Sequence, residues 1–376
     1  MSATMPVPAV QRIAFIAPSG LPLRQLRDML FADVVARGHR VMAIAPELSR
    51  ADTEALDDLG AEHEAVSPDA AGPKLFADWK AIGALKKVLA NWAPHTVVAC
   101  GPTMVHAVLA AKAVGVQQII PIIDGLPENR FAGPLAADEM PAWRYGQALR
   151  AAQEAVFHNG DDLALLKKLG IVPASLTAKV VPGVGIDLEH SAALPLPPLD
   201  HGLVFLMIGG LDRRRGVMAY CAAAAKLRAR SPTSRFMLAV LPEEGAQAIE
   251  LAELARCADV EFLGLAEDQS ELLREAHVFV YPGYAEGMPE PLLRALACGR
   301  PVLTTNVAGC RDAVTERVNG CLVEPRNADA LAEAMESFLR RPDLIPAMAR
   351  ASRGKAERFD SASTVKATLL DMLHLD

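Results

Sequence analysis

The sequence predicts an α/β protein of two doubly wound, parallel-sheet domains, and three observations predict it. Short apolar runs alternate with amphipathic stretches of helical period through the first half. A proline-rich stretch, Leu194–Leu199, interrupts that alternation, which then restarts. The length, 376 residues, exceeds what one core ordinarily serves and suits two.

Ile13–Ala17 reads as a buried strand, followed by a turn at Pro18, Ser19 and Gly20. A helix from about Arg24 to Arg37 ends at Gly38, and Arg40–Ala45 is the next strand. Thr96–Cys100 and Gln118–Ile123 are further strands, separated by a helix at about Val105–Val114. Strands alternating with helices call for a parallel sheet covered on both faces. The prolines of Leu194–Leu199 forbid a regular helix, so the stretch reads as a linker. Beyond it, Leu203–Ile208, Arg235–Val240, Val260–Leu263, Val278–Tyr281 and Val302–Thr304 read as strands. Helices at about Val217–Arg228, Met288–Cys298 and Ala328–Arg340 separate them, and Ser361–Leu373 is a last amphipathic helix. The expected organisation is a flexible N-terminus (residues 1–11), a first Rossmann-like domain (12–193), a linker (194–201) and a second Rossmann-like domain (202–358). A C-terminal helix (359–376) packs back on the first domain.

Composition narrows the function. Hydrophobic residues are 51% and charged residues 22%, a globular balance that excludes a mainly disordered chain. The net charge of −7 argues against nucleic acid as a partner, because phosphate binding needs a basic surface. The six cysteines form no CxxC pair and lie beside no His cluster, so they read as reduced thiols of a cytosolic protein and not as a zinc site. Met1–Gln11 has neither a positive n-region nor an apolar core and does not read as a signal peptide. No apolar run approaches the roughly 20 residues of a membrane span. The expected place is the cytoplasm, with contact to the inner membrane at most peripheral.

In open parallel sheets ligands bind beyond the carboxyl ends of the strands. Two such domains facing a central cleft would turn four loops toward it: residues 18–23, 124–130, 209–216 and 282–289. In the third, Gly209 and Gly210 allow close backbone approach, and Arg213, Arg214 and Arg215 precede a helix N-terminus. A diphosphate is the natural guest; arginines solvated at a turn are the bland alternative. In the fourth, Gly287, Met288 and Pro289 shape a tight turn that starts a helix. Glu286 stands just outside that start, placed to accept from sugar hydroxyls or simply to cap the helix. Glu290 and Arg294 have i,i+4 spacing and should pair.

The stretches VGID (184–187), YAEGMPEPLLRALACGRPVLTTNVAGCRDAV (284–314) and NGCLVEPRNADALAEAM (319–335) resemble family-four retaining glycosyltransferases of the GT-B fold. VARGHRVMAIAPE, LAAKAVGV and VFHNGDDLALLKKLGIV in the first half are similar to members that build capsules, exopolysaccharides and O-antigens in bacteria. The resemblance covers about Ile13 to Leu373. It implies transfer of a sugar from a nucleotide-diphosphate donor to an acceptor hydroxyl with retention, without a metal or other cofactor. It places Arg215 at the leaving diphosphate and Glu286 at the first acid of an E-x7-E motif. It puts the Gly287–Pro289 backbone at the donor, Asp124 facing the reacting sugar, and Gly20 among the donor-binding residues. The implied partners are a nucleotide sugar, a lipid-linked or glycan acceptor, and other polysaccharide-synthesis enzymes.

Departures from the pattern fall at the same site. Gly210 stands where the family usually has a phosphate-binding arginine, and Arg294 where it has the ribose-binding acid. Glu290 and Pro291 replace Arg-Ser, Pro102 replaces a lysine, and Gly125-Leu-Pro-Glu128 replaces GLGY. Losing two charge-assisted contacts would cost roughly 3–6 kcal/mol if they add. Two function classes follow: an active transferase with a rearranged donor site, or a catalytically degenerate homologue that binds or regulates another glycosyltransferase. Finally, Leu75, Phe76, Trp79, Ile82, Leu85, Val88, Leu89 and Trp92 form an apolar stripe at helical spacing, with Lys74, Lys80, Lys86 and Lys87 mostly off it. Such a helix either packs on the sheet with a solvated basic edge or docks on an anionic membrane. His106 and His158 read as structural.

Overall fold

A computed structural model describes residues 10–66, 74–101, 104–126, 142–188, 191–241, 249–284 and 287–375; for residues 21, 74–79, 142 and 251 it describes the backbone alone. The chain divides into two compact units, each built on one parallel sheet.

Among the described residues, the first unit holds strands β1 (Arg12–Ile16), β2 (Arg40–Ala45), β3 (Glu62–Ala65), β4 (Thr96–Cys100), β5 (Gln118–Ile123), β6 (Glu154–Phe157) and β7 (Thr177–Val180). Their order across the sheet is β3-β2-β1-β4-β5-β6-β7, all parallel. The second unit holds β8 (Val204–Gly209), β9 (Arg235–Val240), β10 (Glu261–Leu265), β11 (Val278–Tyr281), β12 (Val302–Thr305) and β13 (Gly320–Val323), in the order β10-β9-β8-β11-β12-β13. In both sheets the chain order reverses beside the first strand, between β1 and β4 and between β8 and β11. That reversal opens a crevice at the carboxyl ends of the flanking strands.

The central strands are buried because both their faces are covered. Ile13, Ala14 and Phe15 are fully excluded from solvent, as are Phe205, Leu206, Met207 and Ile208. Leu23, Leu30, Phe31 and Val34 come onto the first sheet from the helical run Gly20–Ala36. That run begins at Gly20, one turn before the sequence predicts, and passes through a π-helical turn at Arg27–Phe31. From Val365 on, helix Ala362–Met372 belongs to the first unit: Val365, Leu369, Leu370 and Met372 enter its core, while Gln118 Nε2 donates to the Met372 carbonyl at 2.7 Å. Helix Lys74–Trp92 turns Leu85 and Leu89 into the unit and leaves Lys80, Lys86 and Lys87 exposed. Leu75, Phe76 and Trp79 lie outside the described side chains.

The chain passes between units at Val184 and Gly185. The proline-rich stretch therefore lies inside the second unit, and the reason is visible. Arg300 is fully buried and its guanidinium donates to the carbonyls of Leu194 (2.9 Å), Pro195 (2.8 Å) and Cys298 (3.2 Å), while its Nε reaches that of Leu273 at 2.7 Å. Burial lowers its pKa to about 10, still far above neutrality.

The amino ends of the two sheets share a device. The amides of Gln11 and Arg12 donate to His39 Nδ1 (3.1 Å) and His95 Nδ1 (3.0 Å) at the entry to β1. At the entry to β8, the amides of Leu203 and Val204 donate to Ser234 Oγ (3.3 Å) and His277 Nδ1 (2.9 Å). Each acceptor immediately precedes a strand flanking the first one, so it ties three strands together at their starts. Burial first, and a neighbouring arginine in addition, lower the pKa of all three histidines, which keeps Nδ1 an acceptor.

Candidate functional site

The second unit gathers its chemistry at the sheet's reversal point. β8 ends in Gly209; Gly210 to Gly216 form a loop, and helix Val217–Arg228 follows. Asp212 is buried and organises that loop: its carboxylate accepts the Arg214 amide at 2.8 Å and both arms of the Arg214 guanidinium at 2.9 Å. Arg213 is held by Glu253, with 2.6 Å between Nη2 and Oε1. Arg215 turns toward β11, where its Nη1 donates to the Tyr281 hydroxyl at 3.2 Å. The three adjacent arginines therefore have three different fates. Carboxylates hold Arg213 and Arg214, and the Tyr281 phenol is among the partners of Arg215.

The loop after β11 is fastened to the loop after β8. The Tyr284 amide donates to the Arg214 carbonyl at 2.9 Å. Gly216 has φ +79, and a Cβ there would stand 2.2 Å from the Pro282 carbonyl oxygen, so both the backbone sign and the space require glycine. Thr304 and Thr305, at the end of β12, donate their hydroxyls to the Tyr281 carbonyl (2.6 Å) and the Gly283 carbonyl. Gly309, φ +77, presses so close that a Cβ would lie 1.3 Å from the Gly287 carbonyl oxygen. Gly287, Met288 and Pro289 are buried and lead into helix Glu290–Ala297, capped at Pro289.

The prolines thin out that helix's anion-binding capacity. Neither Pro289 nor Pro291 has an N–H, and the amides of Leu292 and Leu293 both donate to the Pro289 carbonyl (3.1 and 3.4 Å). Glu290 and Arg294 pair at 2.7 Å as their spacing predicts, and Gln269 Nε2 reaches Glu290 at 3.4 Å. Arg294 thus arrives with its own carboxylate, and the pair carries no net charge.

Gly209 lies beside the Tyr281 ring: an added Cβ would be 3.5 Å from a ring carbon. Gly210 is buried beside it. Glu286 lies outside the described residues, as do Pro102 and Glu128.

The first unit's reversal point is built differently. Pro18 and Gly101 meet above β1 and β4; Gly101 has φ +70, and a Cβ there would be 2.6 Å from Pro18 Cγ and 3.5 Å from Asp124 Oδ2. Asp124 follows β5 directly. Burial, and then the Asp124 carboxylate, push the Cys100 thiol far up, so it is not a thiolate. Gly20 faces Asp52, whose carboxylate would stand 3.2 Å from an added Cβ and which accepts from the Ser49 amide and hydroxyl (3.2 and 2.6 Å) in a capping box. Beside this, Ile16, Ala17, Ile44, Ala45, Leu85 and His106 line an apolar pocket. His158 follows β6, and burial drops its pKa to about 4, leaving it neutral at ordinary pH.

Sequence reasoning passed over four residues that shape the second site: Asp212, Glu253, Tyr281 and Gly309. Asp212 had a local signal, an aspartate two residues before its partner amide in a turn. The Arg213–Glu253 contact had none, because it spans 40 positions.

Comparison with known proteins now decides the class. A family model described as glycosyl transferases group 1 matches residues 202–341, the unit that carries these loops. The chain is a glycosyltransferase with a group 1 domain. Over 365 residues this glycosyltransferase is 24% identical to the N,N'-diacetylbacillosaminyl-diphospho-undecaprenol alpha-1,3-N-acetylgalactosaminyltransferase of Campylobacter jejuni, covering 93% of this chain and 95% of that one. It is 27% identical over 212 residues to the putative glycosyltransferase EpsD of Bacillus subtilis, where the match spans about half of each protein, 52% of this chain and 54% of the relative. The structure of Anabaena HepE in complex with UDP is similar with a TM-score of 0.71 at 16% identity, covering 96% of this chain and 99% of that one. That likeness gives the glycosyltransferase the GT-B fold of two Rossmann-like units. Among the described residues, no helix is long and apolar enough to cross a membrane.

Proposed function

We propose that this glycosyltransferase moves a sugar from a nucleoside diphosphate to a polyprenyl-linked or glycan acceptor, with retention of configuration, during bacterial surface polysaccharide synthesis. The observation that carries the reading is the run Arg213–Arg215 before helix Val217–Arg228 at the reversal point of the second sheet, where Arg215 Nη1 donates to the Tyr281 hydroxyl.

Breaking a glycosyl–phosphate bond leaves negative charge on the departing diphosphate. A fixed cation in a water-poor pocket stabilises that charge as it develops. Arg215 supplies it, and the reading needs no metal for this step. Glu286 is the proposed acid beside the donor sugar, and Asp124 is the acidic group that the first unit sets at its own reversal point. A uridine donor draws support from HepE, described in complex with UDP, and a polyprenyl-linked acceptor from the name of the Campylobacter relative. Such an acceptor implies work at the cytoplasmic face of the inner membrane, where exposed Lys80, Lys86 and Lys87 suit anionic headgroups.

The test is calorimetric titration of the whole chain with uridine, guanosine, adenosine and thymidine diphosphates and their sugars. Binding in the micromolar range by one base is expected, with Arg215→Ala weakening it by about 10–100-fold. No binding by any of the panel at millimolar concentration refutes the transferase reading and leaves a scaffold that binds another enzyme. Retention is read from the anomeric coupling of the product by NMR.

A further inference from the structure

We propose that Arg326 is a further phosphate ligand of the donor site, held on the Tyr284 ring until the donor's diphosphate arrives. The inference rests on the donor-site reading above and adds to it a residue from a different strand.

Arg326 stands at the ligand end of the second sheet. β11, β12 and β13 are parallel neighbours, so their carboxyl ends share one edge. β13 ends at Val323, and the chain runs on through Glu324 and Pro325 to Arg326. Tyr284 rises from the loop after β11, where its amide donates to the Arg214 carbonyl at 2.9 Å. The Arg326 guanidinium carbon lies over the Tyr284 ring, 4.2 Å from its centroid. One tyrosine therefore separates this cation from the Gly209–Gly216 loop. Gly209 and Gly210 bring no side chain to an anion, and Arg213 and Arg214 are held by Glu253 and Asp212.

The way Arg326 is held suits a ligand. A ring attracts a cation without cancelling its charge, and the guanidinium keeps N–H groups for a planar, two-pronged grip on phosphate. Two other arginines over rings are occupied differently. Arg40, over Trp92, gives its N–H groups to Glu62, and Arg228, over Phe236, gives its own to the Ser234 and Asp259 carbonyls. Among the described residues Arg326 meets a ring and no acid.

Its backbone is strained as well. Arg326 has φ +58, in the left-handed region that costs a side chain and favours glycine. The next residue, Asn327, caps helix Ala328–Arg340 by accepting from the Ala330 amide at 2.9 Å, which fixes where the turn is made. Arginine there puts a cation at the ligand edge at a cost in backbone strain.

Arg317 supplies the control. It too is an arginine in the left-handed region, φ +59, but it stands before the amino end of β13 with its side chain 89% exposed. The experiment is calorimetric titration of full-chain variants with the nucleoside diphosphate that the wild type binds best. Arg326→Gln removes the charge and leaves the backbone as it is. Affinity should weaken by about 3–10-fold, with Tm within about 2 °C of wild type. Arg326→Gly relieves the backbone and should weaken affinity by the same factor with Tm no lower. Arg317→Gln makes the same change in net charge and should alter affinity by less than about 1.5-fold. Tyr284→Leu should cost about 2–5-fold, falling below about 1.5-fold once Arg326→Gln is present. Full affinity in Arg326→Gln overturns the proposal, and so does an equal loss in Arg317→Gln, which would be a long-range effect of charge. A Tm lowered by more than about 5 °C in both Arg326 variants makes the stack structural and also overturns it. A raised KM for the lipid-linked acceptor with unchanged diphosphate affinity assigns Arg326 to the acceptor, and an undiminished Tyr284→Leu loss makes Tyr284 the ligand; either overturns it. Failure of the wild-type chain to bind any nucleoside diphosphate is a separate result, and it refutes the transferase reading itself.

Discussion

The two units are alike at one end of their sheets and unlike at the other. At the amino ends the first strand of each is gathered in by acceptors from its two neighbours, His39 and His95 in one unit, Ser234 and His277 in the other. At the carboxyl ends the likeness stops. The first unit offers Pro18, Gly101, Asp124, a protonated Cys100 and an apolar pocket. The second offers Arg215, Tyr281 and loops fastened to each other by glycine contacts and threonine hydroxyls. One architecture thus keeps its assembly chemistry at one edge and varies its ligand chemistry at the other, as expected where function resides in the site and not in the fold.

The sharpest way to break the comparison is at the glycines. Gly309→Ala must displace the Gly287 backbone, and a loss of more than about 3 kcal/mol is expected in urea unfolding, together with loss of nucleotide binding. Gly101→Ala in the first unit meets only the edge of the Pro18 ring besides its positive φ. It should cost about 1–3 kcal/mol and leave nucleotide affinity unchanged. Equal losses of affinity would erase the distinction between the carboxyl ends of the two units.

Acid tests the amino ends. The three histidines have folded-state pKa values below their usual 6.5, so the unfolded chain binds more protons than the folded one as pH falls. Their contribution is fully present above 6.5 and is lost as pH falls through the lowered folded values. His158, at about 4, adds to the same trend in the first unit. The first unit has two histidine acceptors where the second has one and a serine. Hydrogen exchange at about pH 5 should therefore open β1 before β8. His277→Gln, which can both accept from Val204 and donate to Pro198, should flatten the second unit's pH dependence.

The smallest effect is expected at Arg213. Its pair with Glu253 is 44% exposed on the arginine side, so Arg213→Ala should change stability by less than about 1 kcal/mol and nucleotide affinity by less than about threefold. A large loss would show that Arg213, and not Arg215 alone, meets the anion.

Much of the fold was legible because the central strands are covered on both faces. Thr96–Cys100, Gln118–Ile123, Arg235–Val240 and Val278–Tyr281 are continuous runs with turn residues at their ends, and they form strands with those bounds. The edges were not legible. β3, Glu-His-Glu-Ala, and β7, Thr-Ala-Lys-Val, carry exposed or half-exposed residues and are strands only because β2 and β6 offer them hydrogen bonds. The early start of the helical run at Gly20 was hidden by glycine and proline, residues that usually mark turns. At the site, sequence located the loops but could not say which partners the three adjacent arginines take. That depends on Glu253 and Tyr281, which only the folded chain brings near.

Arg300 carries a practical consequence. The family match begins at residue 202, the tempting place to start a shortened protein. A fragment cut there would lose the Leu194 and Pro195 carbonyls and strand a buried cation with half its acceptors gone. Starting instead before Ser191, whose carbonyl takes Arg353 Nη1 at 2.7 Å, keeps the buckle closed, and the longer fragment should be the one that stays in solution when purified.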